Sequence, residues 1–160
     1  MRWIALLAAA GALAAAVAGP GRTASTPPLV PPFVQGLVLV RAGTLAYVPT
    51  SAPFAYRYLR FGWDAGRQTL AVRLADHRFR PDGRHSIVFE VAPFAGPASA
   101  CADGKVKTMQ LRGNKVFWDG STAWRCVRTP AGRLVREAAT GPGLPDSALG
   151  RVVASAKRLG

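Results

Sequence analysis

From Leu37 to Ala138 the chain alternates brief apolar or alternating stretches with turn-forming residues, and this rhythm restricts the fold more than any other feature of the sequence. The stretches that read as strands are Leu37 to Arg41, Thr44 to Val48, Tyr56 to Trp63, Thr69 to Leu74, Ser86 to Val91, Val106 to Leu111, Lys115 to Trp118, Ala123 to Val127 and Leu134 to Ala138. Ala42-Gly43, Asp64-Ala65-Gly66, Pro81-Asp82-Gly83, Gly113-Asn114 and Asp119-Gly120 supply the bent or positive-φ positions that hairpin turns need. Parallel strands require crossovers of a dozen or more residues, so strands this closely spaced predict an antiparallel meander. After Gly141-Pro142-Gly143 the period changes, and Leu149, Val152, Val153, Ala156 and Leu159 fall on one helical face. This predicts a terminal helix started by Asp146 or Ser147, with Lys157 and Arg158 at its carbonyl-rich end. The expected class is α+β, an antiparallel β-sheet meander packed against one C-terminal helix.

The first eighteen residues read as a secretory signal peptide. Met1 and Arg2 precede an apolar run from Trp3 to Val17 that ends in the small-residue step Ala16-Val17-Ala18. A run of about fifteen residues is short of the roughly twenty that span a bilayer, so cleavage before Gly19 is the expectation, with an uncleaved signal anchor as the alternative. Residues 19–35 carry two Pro-Pro pairs and read as an extended spacer. Residues 36–160 are then one domain, as expected for a chain of 160 residues that loses 18. Export to an oxidising space makes Cys101 and Cys126 a disulfide. A redox or metal pair would need a CxxC or comparable ligand spacing, and neither cysteine has one. No cofactor and no metal is expected.

The densest aromatic patch is Phe117-Trp118-Asp119-Gly120-Ser121-Thr122-Ala123-Trp124, a hairpin around Asp119-Gly120. If Ser121 and Thr122 extend the loop, Phe117 faces Trp124; with a two-residue turn Trp124 faces Lys115. Trp118 and Trp124 are candidate binding residues for a sugar or lipid, against the alternative that they anchor a small core. Charge is the strongest indication of partners: 21 Lys and Arg against 8 Asp and Glu give a net +13, densest from Arg57 to Arg84. Arg57, Arg60 and Arg73 are the cationic candidates, with Arg57 and Arg60 on opposite faces of their strand. Such a field attracts anionic envelope polymers, lipid headgroups or nucleic acid. The export signal and the lack of a nucleic-acid-binding motif leave an anionic envelope component or another envelope protein as the expected partner. Membrane contact would be by surface association or by the uncleaved anchor.

From about residue 45 to 160, the strands around Val48-Pro49-Thr50 and Ala52-Pro53-Phe54-Ala55-Tyr56, the Gly113 to Gly120 hairpin and the Leu149 to Leu159 segment together form a pattern. It resembles the extracytoplasmic β domains of bacterial anti-sigma-factor-like and sporulation-associated envelope proteins. The resemblance implies a sensing or binding module, and the cysteine pair is an addition to that pattern.

Catalytic templates find little purchase. His85 and Glu90 with abundant arginine offer the acid, base and phosphate clamp of a small secreted ribonuclease. Five residues apart on one strand, however, they point to opposite faces. His77 reads as loop surface. No serine stands in a G-x-S-x-G elbow, and no glycine-rich phosphate loop precedes a helix. The expectation is an exported, noncatalytic binding or accessory module of the bacterial cell envelope, secreted or periplasmic. The alternatives are a small secreted hydrolase and a secreted protease inhibitor.

Overall fold

The computed structural model of the chain describes residues 2–4, 28–77, 86–102, 104 and 106–160, residues 2–4 by their backbone alone. Most of the leader and the spacer therefore lie outside the described residues, as do Arg78, Arg80, Arg84, His85 and the Pro81-Asp82-Gly83 turn. In chain order the elements are β1 (Arg2–Ile4), α1 (Pro32–Ala42), β2 (Tyr47–Val48), β3 (Tyr58–Asp64), β4 (Thr69–Ala75), β5 (Ser86–Pro93), β6 (Lys107–Leu111), β7 (Asn114–Trp118), β8 (Thr122–Arg128), β9 (Leu134–Thr140), α2 (Asp146–Ala154) and β10 (Lys157–Arg158). Single 3-10 turns cover Gly43–Leu45 and Ala98–Ala102.

One antiparallel sheet runs in the order β1-β3-β4-β5-β9-β8-β7-β6. It is two meanders, β3-β4-β5 and β6-β7-β8-β9, joined where β9 folds back beside β5 and places Val88 opposite Thr140 and Phe89 opposite Ala139. The backbone of β1 lies along the outer edge of β3. The α+β class and the antiparallel meanders are as the sequence predicts.

Period-two alternation sends Leu59, Phe61, Val72, Leu74, Ile87 and Phe89 into one core beneath both helices. From α2 come Leu149, Val152 and Val153; from α1 come Val34 and Val38. Gly141, between β9 and α2, is held tight: a Cβ there would stand 2.7 Å from the carbonyl oxygen of Ser86 and 2.7 Å from Leu144 Cδ1. Gly141→Ala is expected to destabilise the fold by about 1–3 kcal/mol by overpacking against backbone, read as a lowered urea midpoint.

The N-terminal part of the domain corrects three expectations. The stretch Leu37 to Arg41 is helix, not strand, and Thr44 to Val48 keeps only the two extended residues of β2. The spacer does not extend to residue 35, because Val30 and Val34 are core residues and α1 begins at Pro32. Proline obstructs a helix only in its interior. At the first position its missing N–H costs nothing, and its fixed φ favours the start. Pro31 flanks the helix with φ −56° and ψ 145°, and Pro32 opens it. Burial at Val30, Val34, Val38 and Ala42, one every fourth residue, then outweighs the strand preference of Val-Leu-Val.

The C-terminus corrects a fourth. The helix ends at Ala154 rather than Leu159, and Lys157 and Arg158 form β10 on β2 instead of capping a dipole. Ser155 explains the stop. Its amide donates to the Arg151 and Val152 carbonyls and its hydroxyl donates 2.8 Å to Val152 O. The same Oγ accepts from the amides of Thr50 and Ser51, at 3.1 Å each. At the start, Asp146 stands in the first turn and Pro145 flanks it without a side-chain cap.

Candidate functional site

The sheet face turned away from the helices carries the more developed arrangement. In-register pairing lines up Gly62, Ala71, Glu90, Ala138, Trp124 and Phe117 across β3, β4, β5, β9, β8 and β7. Small residues at positions 62, 71 and 138 keep this row shallow between Glu90 and the tryptophan. Two residues before Ala138 on the same face of β9, Arg136 lays its guanidinium over the Trp124 ring at 4.6 Å. The buried Arg136 Nε has no hydrogen-bond partner.

Trp124 itself is fixed. It is 5% exposed; its indole N–H donates 2.7 Å to Cys101 O; and it packs on Phe117 with ring centroids 6.1 Å apart. The Asp119 to Thr122 loop sets this register. The Asp119 carboxylate accepts from the amides of Ser121 (3.0 Å) and Thr122 (2.9 Å), so Phe117 stands opposite Trp124 as the longer loop requires. Cys101 and Cys126 form a disulfide with a Cα–Cα distance of 6.1 Å. The bond ties the Ala98–Ala102 turn to β8, beside the indole.

Two clefts meet at Arg136. One, of about 500 Å³, is lined by Phe94, Cys101, Val106, Asp119, Trp124 and Arg136 among others. The second, of about 270 Å³, includes Val88, Glu90, Thr122, Ala138 and Thr140 besides Arg136. Asp119 stays anionic: the Ser121 amide hydrogen bond holds its carboxyl below the usual range, slight burial opposes this, and Thr122, the Ser121 hydroxyl and Arg136 add to the lowering. The clefts thus offer a guanidinium held over a buried tryptophan and an anion on the rim. That is the equipment to seat a ligand bearing a carboxylate, sulfate or phosphate beside an apolar or ring portion.

The residues singled out from sequence are brought together only in part. Trp118 pairs with Ala123 and sits on the core face, with Lys107 Nζ 4.9 Å from its ring centre, so it shares no platform with Trp124. Arg60 and Arg73 stand opposite each other on the outer face, and their row continues through Val88, Thr140 and Thr122 into the second cleft. Arg57 precedes β3, where its amide donates to Ala75 O. Glu90 is exposed on the outer face, and His85 lies outside the described residues. His77 contacts Asp76. Arg136, Asp119 and Phe94 were not anticipated; the strand alternation that puts Arg136 and Ala138 on one face was the available signal.

A second polar group lies under the helices. Arg125 Nε donates 2.7 Å to Glu137 Oε2, Nη1 donates 2.6 Å to Asn114 Oδ1, and Nη2 donates 3.0 Å to Ala156 O. Glu137 is fully buried and its Oε1 has no partner. Burial pushes its carboxyl up to about 7 against the opposing hydrogen bond and charge of Arg125. Burial and then the Glu137 charge raise Tyr47, while Arg158 and Arg125 pull it back. This cluster ties β7, β8, β9 and the turn after α2 together, on the side away from the clefts.

Among the described residues no group of three or more His, Cys, Asp or Glu is placed to hold a metal ion, and no helix is long and apolar enough to cross a membrane. Compared with known proteins, the chain matches no family model, no curated protein and no solved structure.

Proposed function

We propose that this chain is a noncatalytic binding module of the cell envelope that holds an anionic envelope component on the outer face of its sheet, centred on Arg136. The observation that carries the reading is the guanidinium over Trp124 at the meeting of two clefts. Three things support it: the net +13 of the sequence, the register that lines Arg60 and Arg73 up with the second cleft, and the disulfide, which suits an oxidising compartment. Export by the N-terminal apolar run belongs to the same proposal. The hydrolase alternative requires His85, and a loss of hydrolytic activity in His85→Ala would favour it.

The test is titration of the chain with an acidic polysaccharide, polygalacturonate, at low salt. Arg136→Ala is expected to weaken binding about tenfold, as loss of a charge-assisted hydrogen bond does. Arg151→Ala removes the same charge from an exposed position on α2 and is expected to change binding by less than about twofold. Equal losses in the two variants would mean that net charge alone is the adhesive, and would overturn the assignment to Arg136.

A further inference from the structure

We propose that the outward side of α1 is a docking surface for an anionic lipid bilayer. A helix that is apolar nearly all round is ordinarily covered all round, and α1, with the sequence Pro-Phe-Val-Gln-Gly-Leu-Val-Leu-Val-Arg-Ala, is covered on one side only. Val34, Val38 and Ala42 enter the core. Phe33, Leu37 and Val40, spaced to share the opposite side, are 52%, 41% and 82% exposed, and Leu39, about 100° round the helix from Val40, is 39% exposed. Isolated surface leucines are unremarkable, but a continuous apolar strip on one helix marks an interaction site.

Charge identifies the occupant. No Asp or Glu occurs before Asp64, and none follows Asp146. The fold brings these two acid-free ends together, since β10 pairs with β2, Leu159 N–H donates 2.8 Å to Ala46 O, and a Cβ at Gly160 would stand 3.4 Å from Leu39 Cδ1. Arg41 in the last turn of α1, and Lys157 and Arg158 on β10, the latter donating 2.9 Å to Gly160 O, therefore place three cations and no Asp or Glu on the segments around α1. An apolar strip bordered by cations matches the acyl boundary and the headgroups of an anionic bilayer. The surface is separate from the Arg136 clefts. Because α1 packs on the core face, docking through it leaves the outer face of the sheet turned away from lipid.

An apolar run such as Trp3 to Val17 can attach a chain to vesicles independently of α1, so the experiment reads position rather than attachment. The full chain carries an environment-sensitive fluorophore on Val40→Cys, or on Gln110→Cys at the exposed outer face of β6, and is mixed with vesicles of phosphatidylcholine and phosphatidylglycerol. The expected result is a blue shift at position 40 and none at 110. With Phe33→Ser and Leu37→Ser together, about tenfold more lipid is expected for the half-maximal shift at position 40. An unshifted probe at position 40, whether or not the chain sediments with the vesicles, would overturn the proposal. A shift without lipid that grows with protein concentration would also overturn it, by showing a second copy on this face.

Discussion

At about pH 8, where Glu137 is ionised beside it, Arg125→Met is expected to lower the unfolding free energy by about 3–5 kcal/mol, the usual consequence of leaving one member of a buried ion pair behind. Glu137 is fully buried, and its side-chain hydrogen bond among the described residues is the one Arg125 donates, at 2.7 Å, to Oε2. The same substitution strips Asn114 Oδ1 and Ala156 O of their donors. Urea midpoints of the two proteins measure the loss. Replacing the pair together, Arg125→Met with Glu137→Leu, is expected to recover most of it, because no charge is then stranded in the core. The pair also makes stability depend on pH. Glu137 titrates near 7 in the folded chain against an ordinary value of 4.5, so between these values the folded state keeps a proton that the unfolded state releases. The associated stability is complete below 4.5 and disappears as pH rises through 7. It amounts to about 3 kcal/mol at roughly 1.4 kcal/mol per unit. Unfolding at about pH 5 and about pH 8 should show that fall, and Glu137→Gln should flatten it.

Cys101→Ser with Cys126→Ser is expected to cost about 3–4 kcal/mol by freeing the unfolded chain from a closed loop whose cysteines are 25 residues apart in sequence. Loss of the bond acts on the folded state as well, since the carbonyl that receives the Trp124 indole N–H belongs to Cys101. With the Ala98–Ala102 turn untied, the wall of the larger cleft loosens and the tryptophan under Arg136 loses its anchor. Reduction by dithiothreitol should therefore lower the urea midpoint and weaken polygalacturonate binding together. An unchanged midpoint would show that the cross-link constrains nothing.

The strands from Tyr58 to Thr140 were legible because each has one face in the core, and Leu70, Val72 and Leu74 or Ile87, Phe89 and Val91 show that alternation openly. Helix α1 was hidden by two ambiguities that local sequence does not resolve. Pro31-Pro32 suits an extended spacer and a helix start equally, and Val-Leu-Val suits a strand until Val34 and Val38 are seen to share a core with Val30. The end of α2 depended on Thr50 and Ser51, about a hundred residues away, whose amides are satisfied by Ser155. At the site, the disulfide and the Phe117–Trp124 alternative were within reach of sequence. The separation of Trp118 from Trp124 was within reach as well, since Trp124 opposite Phe117 or opposite Lys115 leaves Trp118 on the other face in either register. The importance of Arg136 was not, because it comes from β9 lying beside β8 and β5, a pairing that no local pattern encodes.

That pairing also sets a schedule. A chain that emerges N-terminus first can assemble β3, β4 and β5 by itself, but the second edge of β5 has no neighbour until β9 has been made. The roughly fifty residues between Val88 and its partner Thr140 occupy about 3–10 s of synthesis. During that interval Ile87, Phe89 and Val91 lie on a strand whose backbone can hydrogen-bond to any passing extended segment. Glu90, the only charged side chain on β5, stands exposed in the middle of that edge. It interrupts what would otherwise be an uncharged, adhesive run, as gatekeeper charges do on strands that must wait. Both cysteines lie within the same stretch of chain, so both are present before the two halves of the sheet are joined.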